Sequence, residues 1–199
     1  MGQRLVISIE TMGEPIAKIY YHWSAYTVSA LYETKDVVNC IYNHQDETIK
    51  ELQLRLIRFC EGNGGGIDGK KEEFEYIQKM FPNETFKTDD YSRNRGLIAL
   101  SEKGMDDMQS WSEGDVIIDL DEDEINFGVY AGYEGIDEYI KERQEWDDEF
   151  EGIPLEEIPD IGYDLGWINV SEIDKVAAAV DEAKANPVRF GNEIFELTE

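Results

Sequence analysis

Residues 3–9 (QRLVISI) and 15–22 (PIAKIYYH) alternate in the manner of strands on either side of the turn sequence ETMGEP. This is the pattern of an antiparallel β-hairpin, and it commits the start of the chain to sheet. Trp23 closes the hairpin. Ser24 is placed to cap a helix carrying Val28, Leu31, Tyr32, Val38 and Ile41, and Asp46 to start a second with Ile49, Leu52, Leu56 and Phe59 at helical spacing. The glycines at 62–66 end that helix, and a third runs from about Lys70 to Met80 until Pro82 stops it.

The polar stretch NETFKTDDYSRNR is the first plausible linker and leads into a short apolar strand, GLIALS. Strands at 115–120 and 125–131, joined by Asp121-Glu122-Asp123-Glu124, predict a second hairpin, and a helix follows from about Ile136 to Phe150. EGIPLEEIPDIGYDLGW reads as an irregular connection. Ser171 with Asp174 predicts a capping box before a helix ending at Asn186-Pro187, and VRF-GN-EIFEL predicts a last hairpin. Strand pairs separated by helices, with no repeating βαβ rhythm, predict an α+β fold of antiparallel sheet and hairpins packed with helices. The expected division is an N-terminal hairpin-plus-helices portion over 1–92 and an acidic α+β portion over 93–199, or one continuous domain.

Charge narrows the function. The chain has 45 Asp+Glu against 18 Lys+Arg, a net charge of −27, at which self-repulsion costs stability. The charge is polarised: residues 1–112 hold 18 acids and 13 bases, and residues 113–199 hold 27 acids and 5 bases. Such a field repels nucleic acid and anionic membrane and attracts basic protein surfaces. No apolar run approaches the roughly 20 residues of a membrane span and no secretory pattern opens the chain. Cys40 and Cys60 have no metal or redox spacing, so a cytoplasmic protein with reduced thiols is expected. Halophilic adaptation spreads acids evenly and depletes lysine, whereas here 11 of the 18 bases are lysine.

Three motifs carry apparent chemistry. Asp119, Asp121 and Asp123 match the start of a calcium loop, but Glu124 stands where glycine is required and Tyr130 where a bidentate glutamate belongs. Strand alternation would put those three aspartates on one wet face. GGGIDGK (Gly64 to Lys70) has phosphate-loop spacing, yet Lys71 replaces the Ser/Thr that would bind magnesium and the segment follows a helix; a flexible interhelical loop is expected. YYHWSAYT (Tyr20 to Thr27) sets His22 among aromatics, and a packed, structural histidine is expected, with an enzyme site near His22 using acidic metal ligands as the alternative. No catalytic residue, metal ligand or cofactor is assigned.

The acidic half is more specific. Glu138, Glu142, Glu145 and Glu149 recur on one stripe of the expected helix, and residues 137–149 hold seven acids and two bases over about 18 Å of helix. That is a net charge about every 3.6 Å, close to the ~3.4 Å per phosphate of one DNA strand. Aromatics lie among the acids (Phe127, Tyr130, Tyr133, Tyr139, Trp146, Phe150, Tyr163, Trp167), as anchors for a partner or as core.

In composition and charge layout, residues 113–199 resemble the phage-encoded and plasmid-encoded antirestriction and anti-CRISPR proteins that act as DNA mimics: small, cytosolic, strongly acidic and cysteine-poor, with no catalytic signature. The resemblance implies a non-enzymatic inhibitor, working in the host cytoplasm if phage-encoded, that occupies the basic channel of a nuclease or other defence effector. The candidate partner-binding residues are Asp119, Asp121, Glu122, Asp123, Glu124, Glu138, Glu142, Glu145, Trp146, Asp148 and Glu149. An acidic adaptor in a phage or host assembly is the other non-enzymatic reading, and the sequence leaves the oligomeric state open.

Overall fold

The opening hairpin forms as β1 (Leu5–Thr11) and β2 (Glu14–Tyr21) in the computed structural model, which describes residues 4–25, 27–44, 46–89, 95–127, 167–175, 177–178 and 181. Met12 and Gly13 make the turn, both at positive φ (54° and 74°), whose twist suits the flanking strands. Gly13 adopts this backbone freely, whereas Met12 carries a side chain there and is 86% exposed. A register shift between Ile9 and Glu10 brings Pro15 opposite Glu10. On its other edge β2 pairs only from Lys18 to Tyr20, so the missing N–H of Pro15 interrupts no ladder there.

Leu5, Ile7, Ile9, Ala17, Ile19 and Tyr21 enter one core cluster, and Val6 and Tyr20 enter another. Burial on both faces explains why LVISI is nearly continuous in hydrophobicity. α1 (Thr27–Ile41) and α2 (Ile49–Gly62) cover the first face with Ala30, Leu31, Val38, Leu52, Leu56 and Ile57. Each buried leucine, isoleucine or valine among them contributes roughly 1.5–3 kcal/mol. The cap of α2 is Thr48, reciprocally bonded with Glu51, and not Asp46. The Ser24 hydroxyl donates to Glu33 Oε1 (3.3 Å), and α1 begins three residues later, at Thr27.

The glycine run is neither a flexible loop nor a phosphate loop. Gly65 N donates to Cys60 O (2.9 Å) and closes α2. β3 (Gly66–Asp68) then enters the sheet between β4 (Thr88–Asp89) and β5 (Leu97–Ala99). A Cβ on Gly65 would stand 2.1 Å from Gly96 O, and one on Gly66 2.5 Å from Lys87 O, so close backbone packing demands both glycines. The strand lies inside the GxxxxGK spacing and only Gly69 and Lys70 separate it from α3 (Lys71–Met80). No loop is left to wrap a phosphate.

The eight strands run β4-β3-β5-β2-β1-β6-β7-β8, with β6 (Gly114–Asp119), β7 (Glu124–Phe127) and β8 (Trp167–Asn169) completing the order. The α+β class holds, but the sheet is mixed and not antiparallel: β1 pairs β6, and β3 pairs both β4 and β5, in parallel. α3 supplies the crossover that parallel β3 and β4 require. Strands from Leu5 to Asn169 share this one sheet, which therefore continues across residue 92.

α4 (Glu102–Gln109), capped by Ser101, sets Met105 and Met108 against Val6, Tyr20, Leu97 and Ala99 on the second face. Of the segment read as an irregular connection only Trp167, the first residue of β8, lies among the described residues, and Asn169, not Ser171, caps the turn that follows by accepting from Ser171 N (2.9 Å). Residues 173–175, 177 and 178 are helical, and Ile173 and Ala177 pack on the first cluster.

Candidate partner-binding surface

The second hairpin places Glu124 opposite Asp119, and β1 sets Glu10 opposite Asp119 on the other side. Three carboxylate residues thus form a row across adjacent strands, whose spacing is ~4.7–4.9 Å. The Ser8 hydroxyl donates to Glu10 Oε1 (2.8 Å), which keeps the Glu10 side chain on the Ser8 face. Like charges directly opposite one another destabilise a sheet. Glu14 adds to this end, since it pairs with Thr11 next to Glu10.

The turn between Asp119 and Glu124 is held internally. Asp119 Oδ1 accepts from Asp121 N (2.9 Å) and Glu122 N (3.2 Å). Asp121 reaches the other hairpin tip, accepting from the Thr11 hydroxyl (3.0 Å) and from Met12 N. Asp123 takes positive φ (55°), and its carbonyl accepts from Val170 N (2.8 Å). The aspartates at 119, 121 and 123 are therefore not an alternating strand face: strand β6 ends at Asp119 and the other two are turn residues. Among the described residues, no group of three or more His, Cys, Asp or Glu is arranged to hold a metal ion.

Counter-ions lie elsewhere. Among the described residues Arg4 pairs with Glu113, Lys35 with Asp174, Arg55 with Glu47, and Arg58 with Glu61 and Glu84. Among the described residues, Glu10, Glu14, Asp119, Asp121, Glu122 and Glu124 take part in no ion pair. Of the predicted partner-binding residues, Asp119, Asp121, Glu122, Asp123 and Glu124 come together at this end. Glu138, Glu142, Glu145, Trp146, Asp148 and Glu149 lie outside the described residues, as do the expected helix at 136–150 and the last hairpin. Phe127 is 1% exposed and belongs to the core.

Two other places have the makings of a site. Neighbouring parallel strands β3 and β5 send their following helices to opposite faces, since Ile77 of α3 joins the first cluster and Met105 of α4 the second. Open sheets bind ligands at the carboxyl ends of such strands. Here the chain's own Glu73, 2% exposed, fills that crevice: it accepts from Leu100 N (2.7 Å), Ser101 N (3.1 Å) and the Ser101 hydroxyl. Gly104 makes the room, because a Cβ there would stand 2.2 Å from Glu73 Oε2. Neither residue was singled out from sequence; the tell-tale would have been a helical glycine three residues past a capping serine.

The other is the His22 region. His22 Nδ1 lies 2.6 Å from the Tyr20 hydroxyl, and the His22 ring meets Trp23 edge-on at 4.8 Å while Tyr20 meets Trp111 at 6.1 Å. Lys70, the lysine of the glycine motif, lies over the Trp111 ring at 4.3 Å and pairs with Asp107 (3.1 Å) and Asp68 (3.4 Å).

On α1, burial pushes the Glu33 carboxyl up to about 7; the Ser24 hydrogen bond opposes this and nearby Asp36 adds to it. An open groove of about 780 Å³ runs between α1 and α2, with Cys40, Leu54 and Phe59 exposed to it and Arg55 and Arg58 at its edge. Both arginines are neutralised by the ion pairs above.

Comparison with protein-family models, with curated proteins and with solved structures found no match. Among the described residues, no helix is long and apolar enough to cross a membrane.

Proposed function

We propose that the protein is a non-enzymatic acidic inhibitor or decoy, acting in the cytoplasm, that binds the basic nucleic-acid-binding surface of a defence or host protein. The observation that carries this reading is the cross-strand row Glu10, Asp119 and Glu124, three carboxylates with no ion pair among the described residues, where Arg4, Arg55 and Arg58 pair elsewhere. Such a row costs stability, and a basic partner relieves the cost by supplying the missing cations. The sequence of residues 113–199 carries most of the negative charge, and its acids Glu138, Glu142, Glu145, Asp148 and Glu149 are assigned to the same partner from their sequence alone.

The test is a pull-down from host lysate eluted with a salt gradient. The reading predicts release of a nucleic-acid-binding protein at intermediate salt, because exposed ion pairs are screened. An empty pull-down together with metal-dependent turnover would favour the enzyme reading around His22.

A further inference from the structure

Trp23 and Trp111 are 41% and 39% exposed, large rings to leave in water. They are the two ends of a continuous strip in which Trp111 contacts Tyr20, Tyr20 contacts His22, and His22 contacts Trp23, each edge to face at 6.1, 6.1 and 4.8 Å. Tyr20, in the middle of the strip, is buried at 6% exposure. Arg4 and Glu113 pair close by, through two hydrogen bonds of 3.2 and 3.0 Å. The strip already shows which chemistry its rings accept, since the Lys70 ammonium sits 4.3 Å from the Trp111 centroid with Asp107 as its counter-ion. A cation held between an indole face and a carboxylate is the arrangement that arginine, planar and weakly hydrated, satisfies better than lysine.

We infer that this strip, with Trp23 as its open ring, is a second contact region that takes arginine side chains of the basic partner. The inference rests on the acidic-inhibitor reading. The strip lies at the opposite end of β2 from Glu14, about 25 Å away at ~3.3 Å per residue. A standard contact patch of ~800 Å² is about 30 Å across, enough to span both. The acidic end then supplies long-range attraction, and the strip discriminates among cations.

The probes are nona-arginine and nona-lysine peptides, titrated at low salt and followed by tryptophan fluorescence and calorimetry. The inference predicts that both bind and that nona-arginine binds about fivefold tighter, as one exposed cation–π contact allows. Trp23→Leu should bring that ratio close to one, while Trp23→Phe, which keeps a ring, retains part of it. Equal affinities for the two peptides, or a ratio untouched in a folded Trp23→Leu, overturns the strip and leaves the acidic reading standing. Failure of both peptides to bind overturns the acidic reading, and the strip with it.

Discussion

The carboxylate of Asp121 accepts a hydrogen bond from the Thr11 hydroxyl at 3.0 Å, joining the tips of two hairpins 110 residues apart in sequence. The two acidic turns are thereby held side by side, and their charges act on one surface. Asp121→Ala should cost about 0.5–1.5 kcal/mol in urea denaturation, the usual range for such a bond. Asp121→Asn, which keeps an acceptor, should cost less, and a larger loss with Asn than with Ala would show that the link is not what holds the tips.

Glu73 and Gly104 make a sharper test of packing. Gly→Ala inside a helix normally stabilises by up to ~1 kcal/mol, but here the new methyl meets the Glu73 carboxylate, so Gly104→Ala should destabilise by more than 2 kcal/mol. Glu73→Ala alone should cost about 3 kcal/mol, because it strands the main-chain N–H groups of Leu100 and Ser101. In that background Gly104→Ala should turn neutral or mildly stabilising. A double-mutant cycle of chemical denaturation checks this change of sign.

Much of this fold was legible because its signals were long. The β1–β2 hairpin and α2 carry seven or more residues of clear periodicity, and tertiary packing only confirmed them. β5 was legible as the apolar run GLIALS, but its parallel partners were hidden because β3 is GID and β4 is TD: three residues or fewer show no alternation, and what holds them is glycine packing between strands distant in sequence. α4 was missed because EKGMDDMQ buries only Gly104, Met105 and Met108, too few to mark a face. In the candidate site, the acidity of 119–124 was plain from sequence. Its alignment with Glu10 depends on a parallel pairing that no local pattern announces.

Glu33 predicts a pH dependence. Its folded carboxyl is raised from 4.5 to about 7 by burial, so the folded state favours the protonated form. The penalty is absent below about 4.5, grows as pH rises, and is complete above about 7. Glu33→Gln should therefore stabilise the protein at pH 8 by on the order of 2 kcal/mol, after allowing for partial exposure, and change little at pH 4. Equal effects of the substitution at both pH values would show that Glu33 is not held in this way.

Calcium should bind weakly and at many sites. Asp119 and Asp121 spend carboxylate oxygens on main-chain N–H groups, and the turn lacks the glycine and the terminal glutamate of a calcium loop. Isothermal titration should show millimolar, unsaturating heat; a single micromolar site with a large rise in Tm would contradict this.

The cross-strand row is the centre of the account. Glu10→Lys with Glu124→Lys flanks Asp119 with cations, which should stabilise the fold by about 0.5–1 kcal/mol through the new cross-strand pairs. If the row serves a partner, the same change should weaken binding. The deciding measurement is the affinity of the captured nucleic-acid-binding protein for the native chain and for this double variant, at two salt concentrations and with duplex DNA as competitor. The account predicts a more stable variant that binds at least tenfold more weakly at low salt, and a native complex that DNA displaces and salt dissolves. Unchanged affinity in the stabilised variant, or a complex that persists in saturating DNA, would contradict it.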